Sequence, residues 1–385
     1  MIPVKYNIRN LRVRWATTLR TALATGLLVC ASVFVVGLVD GLQRTFTVSA
    51  DDMKLIVLRK GSDQESGSQI EGQRARELAT LEGIALHEAQ PMCSPEHVMI
   101  LTNPRRGDTI SVNLIVRGLT EIGRSLRPGF RIVQGRDLVP GKDEAVTSRS
   151  IAGRFQNTGL GEQLKINGRK FTIVGLFEAG GGVAESEVWT DVRDLLSARK
   201  MPDFITSVFI RPKDAEAKTA LTARIQDDPQ FNLKVITEKD YYKEQVRQIA
   251  RVRVIGYALA AFLGIGAMFG AANTMYSAVA SRGREIGTLR ALGFNRRSIL
   301  ASFLFESVVL CLLGGLVGCL CTIPFNGVST GTGGATFSEV TFSFNFGPRV
   351  LLEGALMALT MGLLGGLFPA VRAVRLNIIQ ALREM

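Results

Sequence analysis

Residues 254–297 read VIGYALAAFLGIGAMFGAANTMYSAVASRGREIGTLRALGFNRR. The first 28 of these carry no charge, and the next 16 carry five arginines and one glutamate. A helix rises about 1.5 Å per residue and needs about 20 apolar residues to cross the hydrocarbon core of a bilayer. The uncharged part therefore reads as a membrane span and the basic part as a loop at its end. Three further stretches share the pattern. Nineteen uncharged residues lie between Arg20 and Asp40, Glu306 is the only charge from Ser298 to Ser338, and Gly354 to Val371 has none. In lipid every backbone amide must be bonded within its own segment, so all four are helices.

The expected spans are 20–41, 254–279, 299–323 and 352–371. The fold class is an integral membrane protein: four transmembrane α-helices with a large mixed α+β extracytoplasmic domain between helices one and two. The remaining segments are a cytoplasmic start (1–19), an outer domain ending in a stalk helix (42–253), a cytoplasmic helical loop (280–298), an outer loop (324–351) and a cytoplasmic tail (372–385). Val48-Ser49-Ala50 resembles a signal-cleavage site. The apolar run before it, however, exceeds the roughly 7–15 residues usual for a signal, and the first span is read as an uncleaved anchor.

The 385 residues are 46% hydrophobic and 21% charged, with a mean hydropathy of +0.20, which excludes a disordered chain. Five cysteines do not make a disulfide scaffold. The net charge of +12 is concentrated. Residues 1–42 hold +4 (Lys5, Arg9, Arg12, Arg14 and Arg20 against Asp40) and residues 282–297 another +4 (Arg282, Arg284, Arg290, Arg296 and Arg297 against Glu285). Residues 372–385 hold +2 (Arg372, Arg375 and Arg383 against Glu384). With four spans these pieces share one side of the membrane, which the positive-inside rule makes the cytoplasm, with both termini inside and the chain in the inner membrane. Arg247, Arg251 and Arg253 fall on the other side and read as headgroup contacts at the end of the stalk. A surplus beside the membrane leaves nucleic acid without support as a partner.

In the outer domain, Met53–Leu58, 97–102, 110–118, Ile205–Ile210 and 233–236 read as strands and 214–226 as a helix. Gln163–Ile166 and Lys170–Leu176 flank an Asn167-Gly168 hairpin turn. Gly61–Gly72 reads as a mobile loop, Ala179-Gly180-Gly181-Gly182 as a flexible break, and Val340–Phe344 as a short strand in the outer loop. From Lys239 the pattern is helical and runs towards the second span.

Catalytic constellations are poor. His87 and His97 have no cysteine pair beside them, so no metal site is expected. Cys30, Cys311, Cys319 and Cys321 belong to spans, and Cys93 reads as a small core residue. The only Gly-Lys pair, Gly141-Lys142, lacks the glycine and the Ser/Thr of a phosphate-binding loop. No enzyme and no cofactor are expected, and ATP-driven work would need another subunit.

Glu306 has two readings: an ionisable functional group inside the third span, or an interfacial carboxylate paired with a nearby arginine. Four pairs of glycines four residues apart, Gly37/Gly41, Gly266/Gly270, Gly314/Gly318 and Gly362/Gly366, favour tight helix packing within or between subunits. In the basic loop, Ile286, Leu289, Leu292 and Gly293 fall near one helical stripe. Glu285 lies near the helix start, with Arg296 and Arg297 near its end. This cationic amphipathic helix is either an interfacial helix lying in anionic headgroups or a docking helix for a cytoplasmic partner.

Asn273-Thr274-Met275, Val279, Arg282-x-Arg284-Glu285-Ile286-Gly287 and Arg290-Ala291-Leu292-Gly293 resemble the signature of MacB/FtsX-type ABC transporter permeases. So do Pro369-Ala370, Arg372-Ala373 and Ile379-x-Ala381-Leu382-Arg383, and the order of one span, a large outer domain and three spans. The chain departs from the pattern at Ser281, where an acidic residue is common, and at Asn377, where Pro is usual. The resemblance implies a MacB-like core domain over 42–253, an FtsX-like permease region over 265–385 and a permease subunit without a fused ATPase. It also implies a dimer with a second copy or a paralogue, and a cytoplasmic ABC ATPase seated on the loop helix. Glu285, Ile286, Leu289, Arg290, Ala291 and Leu292 are the expected ATPase contacts. ATP-driven closure would pass through the second span and its stalk to the outer domain. That mechanotransmission would serve export of a lipophilic, lipoprotein or drug-like substrate, with a periplasmic adaptor as a further candidate partner beside membrane lipid. The alternatives are a cell-wall hydrolase regulator or a non-transporting scaffold or sensor.

Overall fold

The computed structural model describes the chain except residues 1–8, 10–12, 14, 48–49, 108–110, 128, 202, 335–336 and 376–385, and describes only the backbone of 17, 246, 248–253 and 329–343. Val48-Ser49 and the motif at 379–383 lie outside the described residues. The chain divides into two compact units, one of 1–41, 250–328 and 344–385, the other of 42–249 and 329–343.

The first unit is a helical bundle. Among the described residues, four helices are long and apolar enough to cross a membrane: Thr18–Thr47, Val254–Ser281, Arg296–Phe325 and Pro348–Arg375. Each outruns its expected span, because the polar flanks continue the helix. Val29 and Val33 of the first, Ala267 and Ala271 of the second, Cys311 of the third and Ala358 and Met361 of the fourth form one buried cluster. Phe262, Phe269, Leu316, Leu364 and Phe368 stay exposed, as lipid-facing residues do. The second span is the least covered by its own chain: 17% of its apolar window is buried, against 44%, 39% and 39% for the others.

The second unit is built on a twelve-stranded sheet. Its longest strand, Cys93–Pro104, serves two halves. Residues 93–96 pair antiparallel with Ser207–Ile210, and residues 97–104 with Ser111–Leu119. In the first half, Leu55–Arg59 lies between Ser207–Ile210 and Leu233–Thr237, antiparallel to both, and helix Ala215–Asp227 joins those two outer strands. Leu55, Val57, Val208, Ile210, Leu221 and Ile225 fill its core, with Cys93 among them, its thiol pushed up to about 12 by burial. The second half adds Glu187–Asp191, Glu144–Ser148, Arg169–Ala179 and Phe130–Gly135. Asn167 and Gly168 take φ of 48° and 90°, the paired left-handed turn expected between Gln163–Ile166 and Arg169–Ala179. The outer loop holds two strands, Ser329–Gly334 and Phe337–Ser343, rather than one.

Two expectations are corrected. Gly61–Gly72 is not a loose loop: it holds a 3-10 turn at Glu65–Gly67, with Glu65 and Ser68 buried, and Ser68 Oγ accepts the Arg59 N–H at 2.9 Å. The glycine run after Ala179 is held by Glu185, whose Oε1 accepts the Ala179 and Gly181 N–H groups at 2.8 Å each.

Candidate functional site

The basic loop folds as a helix, Gly283–Ala291. It closes with Gly293 in the left-handed region at φ 91°. Phe294 N–H donates to Leu289 O and Gly293 N–H to Arg290 O, both at 3.1 Å, a Schellman closure that only a glycine adopts without strain. Nine residues do not hold a helix in water by themselves, so its attachments decide its position.

Its attachments include three that reach the span helices. Ile286 is buried, 2% exposed, among Met275 and Val279 of the second span, Ile299, Phe303 and Leu310 of the third, and Ala370 and Ala373 of the fourth. Burial of such a side chain stabilises the seat by about 2 kcal/mol. Arg290 Nη1 donates to Val374 O at 3.3 Å, near the end of the fourth helix. Arg282, the residue joining the second span helix to the loop helix, meets Glu306 of the third in a two-pronged pair. Its Nη1 lies 2.7 Å from Oε2 and its Nη2 3.1 Å from Oε1, and both side chains are buried. Arg282, Glu306, Thr21, Thr274 and Ser281 help line a recess of about 430 Å³.

The stripe expected on this helix is split. Ile286 faces the bundle and is not available as an ATPase contact. Leu289 and Arg290 are half-buried, whereas Glu285, Ala291 and Leu292 are exposed, Leu292 at 72%. Each three-residue step falls about 60° short of a full turn, so residues six apart no longer share a face. Of the two readings of Glu306, the structure has the pairing with an arginine, though the pair is buried rather than interfacial.

The glycine pairs also divide. A Cβ on Gly314 would lie 2.7 Å from the Ala22 carbonyl oxygen, and one on Gly318 2.5 Å from that of Gly26, so the first and third helices meet backbone to backbone. Gly362 and Gly366 press on Val308 and Ser307 of the third helix, Gly37 lies against the Phe346 ring, and Gly41 is buried. Gly266 and Gly270 face open space.

A second cluster, in the outer unit, escaped the sequence reading. The buried Arg117 guanidinium meets Glu187 (2.8 Å from Nε and from Nη2), Glu96 (2.9 Å) and Glu65 (2.7 Å). Arg127 Nη2 meets Glu96 at 2.6 Å, and the Arg127 guanidinium lies 4.6 Å from the centre of the Phe209 ring. Beside them Lys54 Nζ pairs at 2.8 Å with Glu238, the first residue of the long helix Glu238–Ser281. The Glu65 N–H donates to Tyr241 Oη, one turn further on. Burial opposes the charge on Arg117, but Glu187 and Glu65 outweigh it and raise its pKa well above the ordinary value. Burial also opposes the charge on Glu187, yet Arg117 holds its carboxyl below the usual range. For Glu65 burial wins, and its pKa is raised. The ions are spread over separate strands, connecting segments and the start of a helix, so no local spacing announces the cluster. His97, buried nearby in sequence, receives Arg199 Nη1 at 2.9 Å on Nε2 and is held down to about 4 by burial and that cation. His87 is exposed.

Residues 18–228 match the MacB-like periplasmic core domain and residues 251–378 the FtsX-like permease C-terminal region. The chain belongs to the MacB/FtsX-like family of ABC transporter permeases, and is thereby an inner-membrane protein. It is 29% identical over 292 residues to an uncharacterized ABC transporter permease, YknZ, of Bacillus subtilis, covering 71% of this chain and 70% of that one. It is 24% identical to the macrolide export ATP-binding/permease protein MacB of Pectobacterium atrosepticum over 92% of this chain, and spans 56% of that relative's length. For MacB of Chlorobium luteolum the values are 28%, 59% and 35%. Among solved structures it is similar to the periplasmic region of MacB from Actinobacillus actinomycetemcomitans. That match has 15% identity and a TM-score of 0.40, over 51% of this chain and 94% of that one.

Proposed function

We propose that this chain is a permease subunit that couples ATP binding and hydrolysis by a separate cytoplasmic ATPase to movement of its outer domain. The observation that carries this reading is the seated loop helix: a short element pinned to three spans that turns Glu285, Ala291 and Leu292 outward. Glu285, Leu289, Arg290, Ala291 and Leu292 form the ATPase contact, with Leu292 at its centre and Ile286 as the root of the helix. ATP binds in the partner, and this chain needs no cofactor and catalyses no reaction itself. Two permease copies, identical or paralogous, pair in the membrane with both termini in the cytoplasm. Transmission runs along the helix Glu238–Ser281, whose first residue pairs with Lys54 and whose last adjoins the docking helix. The cargo is lipophilic, a lipoprotein or drug-like, in keeping with the macrolide export named for MacB relatives, and a periplasmic adaptor would carry it onward.

The test is recovery of a P-loop ATPase with tagged protein from native membranes. Leu292→Asp lowers that recovery by about tenfold or more while insertion is unchanged, as expected of a central interface residue. Undiminished recovery with Leu292→Asp and Leu289→Asp alike contradicts the assignment. If unaltered protein brings down no ATPase, the scaffold or sensor reading replaces it.

A further inference from the structure

We propose that the Arg282–Glu306 ion pair is a latch: it delivers displacement of the docking helix to the third span instead of letting the joint between helices absorb it. The inference rests on the reading of Gly283–Ala291 as the ATPase-docking element. The joint itself is a single residue. The second span helix ends at Ser281, the docking helix starts at Gly283, and Arg282 between them has φ −114° and ψ 19°, outside the helical range. Residues at such joints are where a chain takes up dihedral change when elements move. Left free, this joint would let the docking helix swivel.

The Ile286 contact is apolar packing, which has no direction, and Arg290 Nη1 reaches a backbone carbonyl at 3.3 Å. The Arg282–Glu306 pair fixes orientation, because two parallel N–H···O bonds admit one geometry. It also sits at the joint. A buried ion pair contributes little to stability relative to apolar replacements of the same volume, and its best-attested use is to specify register. The onward path is rigid. Glu306 lies on helix Arg296–Thr322, two turns before Gly314, where that helix meets the first span backbone to backbone. Arg282 and Glu306 are thus positioning residues that carry displacement from the docking helix to the first and third spans.

The test uses full-length protein with the ATPase that co-purifies with it. Hydrogen exchange of outer-domain amides over 55–237 is compared with and without ATP and vanadate. Arg282→Met/Glu306→Leu removes the pair without leaving a buried charge. It is expected to keep its thermal midpoint and its ATPase recovery, and to lose about threefold or more of the nucleotide-driven change in exchange. Arg282→Gln/Glu306→Gln, which also leaves no buried charge, shows the same loss and is read in place of the first double variant if that fails to insert. A nucleotide-driven change equal to that of the unaltered protein overturns the latch. If the unaltered protein recovers no ATPase, the docking reading falls instead.

Discussion

Glu65 and Glu187 both bind the Arg117 guanidinium, yet their environments push them in opposite directions, Glu65 above the ordinary carboxylate range and Glu187 below it. Glu187 has two bonds to Arg117 and a third from Trp189 Nε1 at 2.8 Å, whereas Glu65 Oε1 has no hydrogen-bond partner among the described residues. Glu187→Gln is therefore expected to destabilise the protein by about 3 kcal/mol, the cost of breaking one side of a buried pair. Glu65→Gln is expected to be near neutral, and urea unfolding in detergent at neutral pH measures both. The Glu187 contribution is complete above the ordinary value of 4.5 and is lost as pH falls through its lower folded value. The Glu65 carboxylate, raised in the folded state, is relieved as pH falls. Equal effects of the two substitutions would contradict the cluster. At this scale the sequence was partly legible. Glu306 stood out because a charge within a span is rare, but its partner was one of many loop arginines, and only folding brings Arg282, 24 residues away, onto it.

The span helices pack through glycine, and the same spacing has two fates. Gly314 and Gly318 are in backbone contact with the first helix, so Gly318→Val forces two helices apart. A cost of about 1–3 kcal/mol is expected, as for overpacking a close-packed site. Gly266→Val meets open space within this chain and leaves the thermal midpoint in detergent unchanged. A drop of the same size for both would mean that the second span packs differently. The four spans were legible because lipid requires long uncharged helices, and the Asn167-Gly168 hairpin because that turn has one chemistry. Glu144–Ser148 and Glu187–Asp191 were missed for a physical reason: all ten residues are buried, and half or more of each strand is polar or charged. Residues buried on both faces show no alternation, and their polar groups are satisfied by distant partners such as Arg136 and Arg117. Burial of Ile286 was missed because a stripe on a short helix does not say which of its members faces the bundle.

At the scale of the whole molecule, a helical unit and a β-rich unit share one helix, Glu238–Ser281. Its first turn is held by Lys54, which pairs with Glu238, and by the Glu65 N–H, which donates to Tyr241 Oη, and its last residue adjoins the latch at Arg282. Two motifs and the order of spans made the family legible in the sequence, because each motif is a continuous local segment. The routes between the ends, which depend on tertiary contacts, were not. The central claim is that this chain works as the membrane part of an ATP-driven machine. The most direct measurement is the composition of the complex recovered with tagged, unaltered protein from native membranes in mild detergent. The account predicts a P-loop ATPase present one for one with the permease. A folded permease recovered without an ATPase would contradict it.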